Sequence, residues 1–251
     1  METTEQTPLK EEIPAGVVKK EREESSWKPK TELGKQVKAQ EITSIYQLLQ
    51  QDKRCLEAEI IDMLLPDAAS DLLNVGQSKG KFGGGKRSIW RQTQKKTCEG
   101  NKPKFAALAI VGNKDGYLGM GHGKAKETMP AREKAVRKAK LNMIAIRRGC
   151  GAWDCSCQQP HSIPFKIAGK CGSARIILMP AARGTGLCVE KECRKMLEMA
   201  GIKDVYAKTF NPKTKLNLMH ACFSSLKQLA ATKVQEHEKQ ALGITLGPHN
   251  E

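Results

Sequence analysis

Four side chains that bind soft metal ions stand close together: Cys150, Cys155, Cys157 and His161, in the order C-x4-C-x-C-x3-H. Three thiolates and one imidazole complete a tetrahedral zinc ion, and a closed set of four protein ligands makes a structural site rather than a catalytic one. A metal there would fix a short segment that has little core of its own. The spacing is not that of a common zinc finger, so the same residues also fit an ordinary reduced loop, and the sequence leaves both readings open. Trp153 and Pro160 are placed to pack over the site. The remaining six of nine cysteines (Cys55, Cys98, Cys171, Cys188, Cys193 and Cys222) are scattered and read as small core or surface side chains. The chain starts Met1-Glu2-Thr3-Thr4-Glu5, with neither a basic nor an apolar leader, and no apolar run approaches the roughly 20 residues of a spanning helix. A cytoplasmic protein with reduced cysteines and no membrane is therefore expected.

The second chemistry is cationic. The chain of 251 residues carries 43 Lys and Arg against 27 Asp and Glu, a formal net charge of +16. Residues 1–78 hold 10 basic and 15 acidic side chains, so the excess lies in the remainder. Between 79 and 104 nine basic residues face a single acid, Glu99. Lys79, Lys81, Lys86, Arg87, Arg91, Lys95 and Lys96 surround Gly83-Gly84-Gly85 and Trp90, which predicts a flexible basic loop suited to a nucleic-acid groove. Beyond it, Gly119, Gly121 and Gly123 lead into Lys124 and Lys126. An apolar hairpin presenting a Gly-Lys edge suggests an RNA-binding platform, because glycine lets a backbone approach a ligand closely. Such a charge balance favours a polyanionic partner.

These groups need elements to hold them. Residues 1–26 are rich in Glu and Lys and predict a disordered segment. Residues 40–75 predict short amphipathic helices broken at Pro66 and Asp67. Phe105 to Gly112 is a continuous apolar run and predicts a central strand. Asn113 to Gly116 predicts a hairpin turn with positive φ at Asn and Gly, and Tyr117 to Met120 the returning strand. Thr128, Met129 and Pro130 open a helix whose inward face is Ala131, Ala135, Ala139, Asn142, Met143 and Ile146. In the second half, Ile163–Ala168 and Ala174–Met179 predict a hairpin. A loop with Arg183 follows, then a helix stopped by Gly201, a strand over Val205–Phe210 and a helix over Thr214–Ala231. From Thr232 the chain is polar and predicts a mobile tail. The sum is a two-domain α+β protein.

Several segments, in order, resemble the small-subunit ribosomal protein S-five family in its archaeal branch. They are Trp27-Lys-Pro-Lys30, Phe105 to Lys126, Arg147-Arg148-Gly149-Cys150, Pro160-His161, Arg183-Gly184-Thr185-Gly186 and Ala200 to Val205. The likeness runs from about residue 27 to about 230. It implies an N-terminal domain like the double-stranded-RNA-binding module, which reads phosphates and 2′-hydroxyls, and a ββαβα C-terminal S-five domain. Accordingly, residues 1–78 form an acidic extension, 79–148 the RNA-binding domain, 149–161 the Cys/His linker, 162–231 the C-terminal domain and 232–251 the tail. The resemblance further implies a non-catalytic constituent of the small ribosomal subunit. It would bind ribosomal RNA, touch the neighbouring fourth small-subunit protein, line the side where messenger RNA enters and contribute to decoding accuracy. Its RNA contacts would fall on the loop cations named above, on Lys114, Lys124, Lys126 and Arg183, and on Lys213 and Lys215. The chain departs from the family pattern at Ala182, at Asn211-Pro212-Lys213 and at His122.

The residues argue against several activities, keep a small-molecule kinase as a third reading and leave one main alternative. Gly119 to Lys124 lacks the spacing and the Ser or Thr of a nucleotide-binding P-loop. Pro180 to Leu187 resembles the phosphate loop of small-molecule kinases but is followed by Cys188 and Val189 in place of paired serines. The His-x-Glu and Pro-Cys-x-x-Cys of a zinc deaminase do not occur. The alternative is a free regulator that binds duplex RNA.

Overall fold

The structure, a computed structural model, describes residues 27–50, 54–78, 80 and 86–247. The expected disorder of residues 1–26, the triple-glycine loop, and Lys79 and Lys81 lie outside the described residues.

Three short helices open the described chain: α1 (Glu32–Lys38), α2 (Ile45–Gln50) and α3 (Glu59–Leu64). Helix α1 starts at Thr31, whose hydroxyl accepts the Gly34 N–H. Glu57 accepts the N–H groups of Lys30 and Thr31 at 3.0 and 2.6 Å, tying α1 to the segment before α3. Their apolar faces meet in a small cluster of Val37, Ile42, Leu48 and Ile60. Ile45 and Ile61 continue into the next domain, against Val111, Tyr117 and Ala139. Residues expected to end the extension instead form strand β1 (Ala69–Leu72), which joins the first sheet.

That sheet also contains β2 (Arg91–Thr97), β3 (Gly100–Gly112), β4 (Tyr117–Ala125) and β5 (Met143–Ala145). Its order is β1-β3-β4-β5, and β1 and β2 pair with successive stretches of the same edge of β3. The second half of the predicted basic loop is thus a strand, and β2 with Gly100–Lys104 forms an arm exposed on both sides. The β3–β4 turn has positive φ at Lys114 (60°) and Gly116 (97°) rather than at Asn113. Asn113 instead accepts the N–H groups of Asp115 and Tyr117 through its side chain.

Helix α4 (Thr128–Leu141) covers one face of this sheet with Ala131, Ala135 and Ala139. It ends at Leu141, so Met143 and Ile146, expected on its inward face, follow it in strand β5 and beyond. The facing side chains on β4 are absent. A Cβ on Gly119, Gly121 or Gly123 would lie 2.2 Å from backbone atoms of Ala139, Ala139 and Ala131 respectively. These glycines therefore admit the molecule's own helix, not RNA, which corrects the platform reading of this stretch.

The opposite face of the sheet presents Leu108, Ile110, Leu118 and Met120 to the second domain. That domain comprises β7 (Ile167–Cys171), β8 (Ala174–Pro180), β9 (Leu187–Cys188), α5 (Lys191–Met199), β10 (Val205–Phe210) and α6 (Lys215–Ala231), after a short β6 (Arg147–Arg148). Its sheet order is β7-β8-β10-β9, with β9 parallel to β10. The expected ββαβα order holds, with β9 as an unforeseen two-residue addition. Residues of both domains join one core containing Ile176, Leu178, Met196, Leu197, Val205, Met219 and Leu226. Fully burying each such large side chain contributes about 1.5–3 kcal/mol.

The tail is structured where it is described. Helix α7 (Glu236–Leu242) ends at Gly243 in the left-handed region, and β11 (Thr245–Leu246) pairs with β6. The tail docks because Arg148, only 5% exposed, gathers three segments. It donates to Asp115 Oδ1 at 2.5 Å, to the Gly247 carbonyl at 3.0 Å and to the Gly201 carbonyl at 3.4 Å.

Candidate metal centre and nucleic-acid interface

The linker between the two sheets brings Cys150, Cys155, Cys157 and His161 together. One ligand atom from each lies within 4.8 Å of every other. Ligands at ordinary zinc distances sit about 3.8 Å apart along a tetrahedral edge, and Cys155 Sγ is 3.8 Å from His161 Nε2. Position comes from both ends of the segment. Gly149 and Ser162 exchange backbone hydrogen bonds, and the Cys150 N–H donates to the Leu242 carbonyl. Gln158 takes a positive φ of 52° inside the loop.

His161 is held from behind. Its Nδ1 is 2.8 Å from Asp204 Oδ2, and both side chains are buried. A carboxylate accepts only, so an Nδ1–H donates to it and leaves Nε2 facing the Cys155 thiol. This carboxylate–imidazole arrangement is the one that orients metal-binding histidines. Asp204 Oδ1 meanwhile accepts the N–H groups of Gly184 and Gly186 at 3.1 and 2.8 Å, which anchors the Arg183 loop to the linker.

The thiols are electrostatically unequal. The backbone N–H of Arg183, then the N–H and thiol of Cys157, draw the Cys155 thiol down to about 6. Burial, with the neighbouring thiols, pushes Cys150 up to about 11. Cys155, His161 and Asp204 also follow the order of a nucleophilic triad. Two further thiols lie within reach; they would suit a tetrahedral ion and have no role in such a triad. Trp153 does not cover the site; it is 97% exposed.

The cationic residues divide by strand register. Paired residues share a face, so Arg91 lies with Ala106, Lys95 with Lys102 and Lys104 with Thr93, while Lys124 pairs with Ala106 across β4. Arg91, Lys95, Lys102, Lys104 and Lys124 therefore form one exposed cationic strip. It continues the sheet face that, further along, is buried against the second domain. Glu99 takes up part of it through a 2.6 Å ion pair with Lys102. Lys96 points to the other face of the arm. Lys86 and Arg87 stand exposed where the chain enters β2, and Lys126 stands exposed before α4.

Residues 89–147 match the family model described as Ribosomal protein S5, N-terminal domain, and residues 169–239 the one described as Ribosomal protein S5, C-terminal domain. The small ribosomal subunit protein uS5 of Nanoarchaeum equitans is 44% identical over 222 residues, which cover 88% of this chain and 95% of that one. The protein of the same name from Methanocaldococcus jannaschii is 42% identical over 222 residues, with the same coverages of 88% and 95%. That of Staphylothermus marinus is 41% identical over 216 residues, covering 86% and 94%.

The chain belongs to the uS5 family.

Within that family frame, the sequence-derived site residues separate into distinct places. Lys114 lies at the turn end of the β3–β4 hairpin. Lys124 is seven residues along β4 from Tyr117, about 24 Å away at strand rise, so the two do not make one platform. Arg183 is exposed beside the Cys/His cluster. Lys213 is exposed after β10. Lys215 is engaged with Glu190 at 2.8 Å and half-buried, so its charge is already matched. His122 sits at the edge of the inter-domain face. Burial, then His220, Lys138, Lys124 and Arg91, holds its imidazole below the usual range. Of the scattered cysteines, Cys193 and Cys222 are core residues, Cys55 and Cys171 are half-buried, and Cys98 and Cys188 are exposed.

Sequence reasoning missed Asp204, Lys102 and Lys104 as site residues. Strand alternation from Arg91 across a hairpin would have found the two lysines. Nothing local marks Asp204, whose partner lies 43 positions away.

Proposed function

We propose that this chain is a structural, non-catalytic constituent of the small ribosomal subunit that binds ribosomal RNA. The observation that carries the reading is the single cationic strip of Arg91, Lys95, Lys102, Lys104 and Lys124, on a chain whose two domains both match uS5. Lysines and arginines along an exposed arm meet phosphates without base readout, which suits a fixed place on a folded RNA. Lys86, Arg87 and Lys126 are further exposed cations of the same domain.

The Cys150, Cys155, Cys157 and His161 set would hold structural zinc. The donor set, the mutual distances and the Asp204 support fit that ion, which would clamp the linker between the domains. Further parts of the reading are contact with the fourth small-subunit protein, a position where messenger RNA enters, a contribution to decoding accuracy, and a cytoplasmic location. The names of the uS5 relatives support the ribosomal placement.

Sedimentation of a native lysate through a salt-washed gradient tests the ribosomal assignment. Stoichiometric migration with the small subunit is expected. Migration as free protein or with light RNA complexes would instead favour the duplex-RNA regulator.

A further inference from the structure

The second sheet has one face packed on α5 and α6 and one open. Alternation along β7, β8 and β10 buries Ile167, Gly169, Ile176, Leu178 and Val205. The pairing register places the other set side by side. Tyr206 is opposite Met179, Lys208 opposite Ile177, and Phe210 opposite Arg175; Ala168 and Lys170 extend the last two rows on β7. Tyr206 and Phe210 are 43% and 41% exposed, unusual for large aromatics. Lys208 Nζ stands 5.6 Å from the centre of the Phe210 ring. A depression of about 830 Å³ opens beside Phe210, bordered by Ala168, Lys170, Arg175, Ile177 and Asn211.

The composition of this face selects its partner. It contains no acidic residue along β7, β8 and β10, and none of Lys170, Arg175 or Lys208 is in an ion pair among the described residues. Tyr206 and Phe210 are about 13 Å apart along the strand, with a cation between them. Aromatic rings that alternate with cations on an open antiparallel sheet supply stacking surfaces for unpaired bases and charge for the phosphates between them. Duplex RNA hides its base faces and would leave both rings unused.

We propose that this open face binds single-stranded RNA, with bases stacked on Tyr206 and Phe210 and the backbone neutralised by Lys208, Arg175 and Lys170. The site lies in the other domain from the cationic strip and contacts a different form of RNA. Its ligand is a short unpaired segment, held without strong sequence preference.

The test uses the full chain carrying Arg91→Ala, Lys95→Ala and Lys104→Ala, so that the arm contributes little. A twelve-nucleotide oligouridylate containing 4-thiouridine is cross-linked to it and the adducts are mapped by mass spectrometry. Adducts on residues 205–210 are expected. Adding Tyr206→Ala and Phe210→Ala should weaken oligouridylate binding at least about thirtyfold for two lost stacks, with a parent-like thermal midpoint as the control for folding, while Tyr206→Phe with Phe210→Tyr keeps both rings and should retain most of the binding. Adducts confined to 86–126, or parent-like affinity in the double alanine chain, would overturn the proposal. So would polyglutamate binding at this face in a chain that ignores oligouridylate, since that would mark an acidic protein as its partner.

Discussion

His161 Nδ1 lies 2.8 Å from Asp204 Oδ2, and with the Lys203 and Asp204 N–H groups donating to the His161 carbonyl this contact joins the inter-domain linker to the second domain. The same carboxylate holds the Gly184 and Gly186 N–H groups. Loss of that support should loosen the metal set without removing a ligand. Asp204→Asn is expected to weaken zinc binding about 10–100-fold, read by chelator competition on the folded chain. Unchanged affinity would show that the four ligands need no support from behind. Stripping the metal should lower the thermal midpoint of the parent.

The strand–helix contact at β4 tolerates no side chain. Gly121→Ala puts a Cβ 2.2 Å from Ala139 N and 2.3 Å from Ala135 O, both helix backbone that cannot rotate away. A loss of about 3 kcal/mol is expected in urea unfolding, at the upper end of ordinary overpacking. Gly80→Ala, where nothing lies within 4 Å and no positive φ is recorded, should be close to neutral and provides the comparison.

Arg148 should govern the docking of the tail. Arg148→Ala removes the donor to the Gly247 and Gly201 carbonyls and the partner of Asp115. Asp115 is partly exposed and can rehydrate, so the expected cost is about 2 kcal/mol rather than the 3–5 kcal/mol of a fully buried pair. Amide exchange should accelerate first at Thr245 and Leu246. Protection there equal to the parent's would show that the β6–β11 pairing is held by other contacts.

Stability should fall on mild acidification. Burial holds His122 and His220 below the ordinary 6.5, and in His122 the neighbouring cations add to it. Below that value the unfolded chain takes up protons that the folded chain refuses. The contribution of these residues is therefore complete above about pH 6.5 and is lost as pH falls through the lower folded-state values. Urea midpoints at pH 7.5 and 5.5 should differ in the parent and differ less in His122→Gln/His220→Gln. An equal pH dependence in both would assign the effect to other groups. RNA phosphate on Arg91 and Lys124 should raise the His122 value, visible in an NMR titration.

Much of the second domain was legible in the sequence. Gly201 stops α5 with φ 77°, and the strand over Val205–Phe210 matches β10 because Val205, Tyr206, Thr209 and Phe210 are β-branched or aromatic and favour an extended chain. The Cys/His cluster was legible as three cysteines and a histidine in one short segment. What stayed hidden depends on long-range pairing. Strand β1 has no strong pattern until β3 offers an edge. The ordered tail depends on Arg148, 99 positions from Gly247. The run Gly119-x-Gly121-x-Gly123 misled because a close approach to RNA and a close approach to a helix require the same absence of a side chain. Only the alanines of α4, brought against it by the fold, decide between them.

The cationic strip is tested most directly by the salt dependence of binding to small-subunit ribosomal RNA. The parent is compared with the chain carrying Arg91→Ala, Lys95→Ala and Lys104→Ala, and with Lys215→Ala as a cation already matched by Glu190. Each lost phosphate contact lowers the slope of log K against log salt by about 0.7–0.9. The triple variant should therefore lose about 2–3 units of slope and Lys215→Ala almost none. A triple variant with the parent's slope would remove the strip from the RNA interface and contradict the account.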